Sequence, residues 1–106
     1  MAKYLFQADY TPAGIAGLQR EGGTGRRTMF ERMFAEMGGT MEAFYYAFGA
    51  NDLFMIVDLP DDASAVAVSM AAASAGAIDI RATVLLTPEI IDEATKRTVS
   101  YRSPGG

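Results

Sequence analysis

The sequence predicts an α+β fold: a ferredoxin-like βαββαβ domain with a C-terminal helix, of the type that joins through its sheet into a dimeric α/β barrel. Three observations predict it. Two strand-helix-strand halves follow one another within 106 residues, which is one domain's length. Two Thr-Pro pairs, Thr11-Pro12 and Thr87-Pro88, mark helix starts directly behind apolar, strand-like runs. The stretch from Thr40 to Asp61, TMEAFYYAFGANDLFMIVDLPD, reads as two adjacent strands that are apolar on both faces.

In chain order, Lys3 to Asp9 is a mixed apolar and aromatic strand ending near Tyr10. Thr11 is then the N-cap and Pro12 the first residue of a helix. Helical spacing in Ile15 and Leu18 stops at Gly22-Gly23-Thr24-Gly25 and restarts in Met29, Phe30, Met33, Phe34 and Met37. A broken or kinked helical crossover is expected, closed by Gly38-Gly39. Thr40 to Phe48 and Asp52 to Leu59 are the second and third strands, joined by a tight hairpin turn over Gly49-Ala50-Asn51. Pro60-Asp61-Asp62 opens the next helix, whose body from Ala63 to Ala75 is Ala, Val, Ser and Met, with Gly76 ending it. Ala77 to Leu86 is the fourth strand, and Thr87-Pro88-Glu89 starts a short last helix through about Lys96. Residues 1–97 form the domain, and 98–106 are expected to be a flexible tail.

Only one face of such a sheet is covered by its own helices. In the third strand Leu53, Met55, Val57 and Leu59 point one way, and Phe54 and Ile56 the other. In the second, alternation puts Phe44, Tyr46 and Phe48 on one side and Met41, Ala43, Tyr45 and Ala47 on the other. Leaving several large side chains in water forgoes several kcal/mol at ~25 cal/mol per Å² and invites aggregation. A homo-oligomer built through the sheet face is therefore expected.

Composition narrows the chemistry. Half the residues are hydrophobic and 21% charged, a globular balance. No apolar run approaches the ~20 residues of a membrane helix, so no membrane partner is expected. The start, MAKYLFQADYTP, lacks the blocks of a signal peptide, and cytoplasmic localisation is the expectation. With no Cys there are no disulfides, thiolate nucleophiles or Cys-ligated metals. With no His there is no Ser-His pair and no His-ligated zinc or haem. Neither a cofactor nor a metal is expected. A net charge of −4 argues against nucleic acid, whose phosphates need clustered Lys and Arg.

Tyr10-Thr11-Pro12, Glu21-Gly22-Gly23 with Arg26-Arg27, Glu42-Ala43-Phe44-Tyr45, Phe48-Gly49, Asp52, Asp58-Leu59-Pro60 and Leu86-Thr87-Pro88-Glu89 follow in an order that resembles the GYD domain family. The resemblance covers almost the whole chain. It implies the dimeric α/β-barrel architecture and supplies no reaction. The family's Gly-x-Tyr-Asp motif reads here Gly49-Ala50-Asn51-Asp52, with Asn51 in place of the tyrosine.

Candidate chemistry gathers in two places. Gly22, Gly23, Thr24 and Gly25 before a helix start expose backbone N–H groups, and Arg26 and Arg27 add charge and bidentate geometry, a setting for a carboxylate or phosphate. The alternative is a plain helix break whose arginines pair with Glu21 and Glu31. Tyr45, Tyr46 and Asp52, with Asp9 and Tyr10, form the second group. A carboxylate among aromatics can act as general acid or base, and a phenol can donate to an oxyanion, so Tyr45 and Asp52 are the catalytic candidates. Alternatively Asp52 accepts from turn N–H groups and the tyrosines pack. Met29, Met33, Met37, Met41 and Met55 read as core, and Asp61-Asp62 and Asp92-Glu93 as helix-end charge.

Two functions fit. One is a binding module for a small apolar or aromatic anion, held between sheet and helices by Gly23, Thr24, Gly25, Arg26, Arg27, Tyr45 and Tyr46. The other is a cofactor-independent isomerase or monooxygenase of the dimeric α/β-barrel type. An open pocket lined by Tyr45, Asp52 and an arginine favours the enzyme.

Overall fold

A computed structural model describes all 106 residues. The elements are β1 (Ala2–Tyr10), α1 (Pro12–Glu21), α2 (Gly23–Glu36), β2 (Thr40–Tyr46), β3 (Leu53–Leu59), α3 (Asp62–Ala75), β4 (Ile78–Leu85) and α4 (Pro88–Thr95). The strands form one antiparallel sheet in the order β2-β3-β1-β4, the ferredoxin-like arrangement.

Period-two alternation sorts the sheet. Tyr4, Phe6 and Ala8 of β1, Leu53, Met55, Val57 and Leu59 of β3, and Ile78 and Ile80 of β4 face the helices and are buried. Phe30 and Phe34 of α2 and Ala65 and Val68 of α3 close over them. The ring of Phe34 lies 5.7 Å from Phe6 and 6.0 Å from Phe30, so α2 is anchored by aromatic contact rather than by a long aliphatic stripe. On the other face Leu5, Phe54 and Ile56 are half-buried, Tyr45 is 72% exposed, and nothing of this chain lies over them.

Each helix starts where its cap chemistry says. Thr11 Oγ1 accepts from the Gly14 N–H at 3.1 Å, and Asp61 Oδ1 accepts from the Ser64 N–H at 2.9 Å. That cap also holds the Asp61 carboxyl below its ordinary range, the Ser64 hydroxyl and N–H both favouring the anion. Asp62 accepts a short hydrogen bond from the buried Tyr4 hydroxyl, which pushes the phenol up to about 12.

The crossover is two helices divided at one residue. Gly22 has φ 85° and ψ 159°, donates its N–H to the Leu18 carbonyl at 2.7 Å to end α1, and stands as N-cap of α2. A side chain is disfavoured at that φ, so the break is a glycine property.

Two features of the second hairpin differ from strict alternation. Glu42 is an extra residue in the β2–β3 pairing, so Met41 lies opposite Val57 and Phe44 opposite Met55. The bulge moves Met41 from the bare face, where alternation places it, to pack against the core. The connection between the strands is also wider than a tight turn. It runs from Ala47 to Asp52, and its positive φ falls on Phe48, at 52°, rather than on Gly49.

Candidate functional site

The end of β1 carries the one buried side-chain polar atom without a hydrogen-bond partner, the Tyr10 hydroxyl. Alternation continues from Tyr4, Phe6 and Ala8 to put Tyr10 on the helix side, beneath α1. Its backbone N–H donates to Asp52 Oδ2 at 2.9 Å, which ties the last residue of β1 to the start of β3. Gly14 makes room above: a Cβ there would sit 1.9 Å from the Ala77 carbonyl oxygen and 3.1 Å from the Tyr10 ring.

Tyr10 lines a cavity of about 480 Å³ together with Gly14, Gly17, Leu18, Glu21 and Arg26, and Arg20 lies at its edge. Arg26 is held from two sides. Its Nη1 is 3.5 Å from Glu21 Oε1, and its guanidinium carbon lies 5.1 Å from the centre of the Phe30 ring. Two arginines against one glutamate leave the cavity with a net positive charge.

Tyr46 of β2 completes the wall's support. Its hydroxyl donates to the Gly23 carbonyl at 3.1 Å, and its ring would lie 3.2 Å from a Cβ at residue 23, so glycine there lets the first turn of α2 rest on the phenol. Burial, and then the nearness of Tyr10, pushes the Tyr46 phenol up to about 12. Burial raises Tyr10 as well, opposed by the neighbouring Arg26. Both phenols are therefore neutral at physiological pH, Tyr46 donating to Gly23 and Tyr10 having no acceptor of its own.

The residues singled out from the sequence separate into two places. Of the predicted ligand residues only Arg26 lines the cavity; Gly23 and Tyr46 are joined to each other by a hydrogen bond, Gly25 borders a separate groove with Met29 and Arg32, and Thr24 is exposed and accepts from the Thr28 hydroxyl through its carbonyl at 3.0 Å. Arg27 turns away, 3.6 Å from Glu31, and borders a shallow cleft of about 470 Å³ with Tyr45, Glu31 and Glu42 at the edge of β2. Tyr45 and Asp52 do not converge, and neither lines the Tyr10 cavity. Asn51, in the position of the motif tyrosine, donates to Asp9 at 3.3 Å and accepts from Gln7 Nε2 at 3.4 Å, bracing the hairpin end against β1.

The sequence groups Tyr10 with Tyr45, Tyr46 and Asp52 without a ligand role, and it marks neither Arg20 nor Glu21 as part of a site. The available signal was the alternation itself, which sends Tyr10 and Tyr46 to one side of the sheet. The methionines fall as expected, Met55 buried and Met29, Met33, Met37 and Met41 packed against the core. Of the acidic pairs, Asp61 caps α3 and Glu93 pairs with Arg97 at 2.9 Å.

A four-stranded antiparallel sheet in the order β2-β3-β1-β4 with α1, α2 and α3 on one face defines a ferredoxin-like α+β domain, and a cationic cavity bordered by Tyr10 opens at the end of β1. The chain belongs to the GYD domain family, whose model matches residues 4–95. No curated protein and no solved structure gave a match.

Proposed function

We propose that this protein is a homo-oligomeric binder of a small apolar or aromatic anion, held in the cavity between α1, the start of α2 and the end of β1. The observation that carries the reading is Arg26, which lines the cavity with Tyr10 and Arg20 and leaves it cationic. The Tyr10 hydroxyl is buried close to Arg26 and Tyr46 without a hydrogen bond within 3.5 Å, and it gains a full partner if its side chain shifts toward a bound ligand oxygen. Leu18 and the glycine faces of α1 offer an apolar surface for the rest of a small ring. The bare sheet face, with Leu5, Phe54 and Ile56, is met by a second copy of the same face.

The phenol of Tyr10 holds its proton beyond its ordinary range, and Glu21 lies 3.5 Å from Arg26 at the cavity wall.

The test is thermal stabilisation by benzoate, phenylacetate and inorganic phosphate. An aromatic carboxylate at 100 times its Kd raises stability by about 2.7 kcal/mol, and Arg26→Ala and Tyr10→Phe reduce that gain while Arg27→Ala does not. Absence of any shift in the wild type, or equal loss in Arg27→Ala, rejects the site. Native mass spectrometry checks the assembly separately: Ile56→Glu lowers the oligomer order, and a wild-type monomer at micromolar concentration rejects the sheet-face contact.

A further inference from the structure

We propose that the C-terminal arm, α4 with the tail through Tyr101, docks on the outer face of α3 in a second copy of this chain.

The arm makes almost no use of its own domain. α4 is formally well built, with Thr87 as N-cap accepting from the Ile90 N–H and Pro88 in the first turn, yet none of its residues is buried. Ile91 is 50% exposed and Leu86 and Ile90 comparably so, on a strongly one-sided helix. An eight-residue helix is too short to persist in water from its own hydrogen bonds, since isolated helices below about 12–15 residues are marginal. It needs a surface to lie on. Further along, Tyr101 is 77% exposed and Val99 similarly so.

The dimensions say the same. The chain has a radius of gyration of 17.1 Å and a longest extent of 57 Å. A compact domain of this length has a radius of roughly 13 Å, so the chain is well short of compact, as a projecting segment makes it.

The same chain carries a matching vacancy. Between Asp62 and Asp79 there is no charged side chain, although much of α3 is exposed. Val66 and Met70, one turn apart on its outer side, are large and uncovered, Met70 at 63%. This surface is on the helix layer, opposite the bare sheet face, so it is a second interface independent of the sheet contact.

The areas match what an exchange between two copies needs. The exposed apolar side chains of one arm amount to on the order of 500 Å², and Val66 and Met70 with their alanine neighbours offer a comparable surface. A reciprocal exchange of two arms then reaches the ~1,200–2,000 Å² of a stable interface. Each chain has one arm and one receiving face, so an exchange about a two-fold axis uses both and closes on itself.

The Cys-free chain gives a clean background for the test. A Met70→Cys chain and a separately tagged Ile91→Cys chain are mixed and mildly oxidised. A disulfide-linked heterodimer at least about tenfold above either chain's self-product is expected, because docking raises the local concentration of the pair. No enrichment in the mixture overturns the proposal. So does an intrachain disulfide at monomer mass in the Met70→Cys/Ile91→Cys double variant, which places the arm on its own α3. The enrichment persists when both chains also carry Ile56→Glu, so loss of the sheet contact and loss of the arm contact are read separately. Ile90→Glu/Ile91→Glu lowers the native mass without changing helix content in the domain, and an unchanged native mass counts against docking.

Discussion

Asp52 Oδ2 accepts the backbone N–H of Tyr10 at 2.9 Å, so the carboxylate that looked catalytic in the sequence holds the residue that borders the cavity. Tyr10 ends β1 and Asp52 precedes β3, and their backbone-to-side-chain bond joins the two segments just beyond the last paired residues, Ala8 and Leu53. The carboxylate thereby positions the phenol without reaching the cavity itself.

Asp52→Ala is expected to lose roughly 1.5–3 kcal/mol, the worth of a hydrogen bond to a charged acceptor, whereas Asp52→Asn keeps an oxygen in place and loses less. Urea denaturation measures both. Equal midpoints for wild type and Asp52→Ala reject the positioning role.

Tyr10→Phe has different effects on stability and binding. Removing a buried hydroxyl with no hydrogen bond within 3.5 Å leaves the free protein as stable as before or more so, by up to about 1 kcal/mol, while loss of the donor weakens aromatic carboxylate binding by about fivefold. Calorimetric titration and thermal melting on the same samples check the pair of outcomes, and a destabilised Tyr10→Phe contradicts the account.

Gly14→Ala is expected to cost about 2–4 kcal/mol, because its Cβ would lie 1.9 Å from the Ala77 carbonyl oxygen, which also accepts the Thr11 N–H at 3.0 Å. Backbone on both sides leaves nothing flexible to move. Gly49→Ala is the control: no atom lies within 4 Å of the added carbon and φ is not positive, so the change stays within about 0.5 kcal/mol. Melting temperatures decide it.

Alkaline pH removes stability in a defined window. Tyr4 is raised from 10.0 to about 12 by its hydrogen bond to Asp62, and Tyr46 to about 12 chiefly by burial. A folded value above the unfolded one means the contribution is fully present below pH 10 and is lost as pH rises toward 12. Melting temperature should fall across that window, and less steeply in Tyr4→Phe. Phenolate absorbance should show the wild-type tyrosines Tyr4 and Tyr46 ionising late, and early ionisation of both rejects the assignment.

Element type and order were readable because they rest on local signals. The two Thr-Pro starts cap α1 and α4 as expected, and Asp61 caps α3. Val57 and its alternating neighbours in β3 needed only the period of a strand. Met41 shows where local reading stops: the Glu42 bulge is a property of the β2–β3 pairing and leaves no mark in β2 alone. Phe48 shows it again, taking a positive φ beside a glycine that does not.

The site divides along the same line. A glycine-rich break followed by two arginines is a chain property, and it was visible in the residues from Gly22 to Arg27. Helical rotation of about 100° between successive residues then sends Arg26 to the phenols and Arg27 to Glu31 at the edge of β2. Likewise Tyr45 and Tyr46 are neighbours in sequence on opposite faces of the sheet. Capping chemistry and hydrophobic period act within a few residues and so are written in the order of amino acids. Which side chains share a cavity depends on contacts between segments distant in the chain, and those exist only once the helices have closed over one face of the sheet.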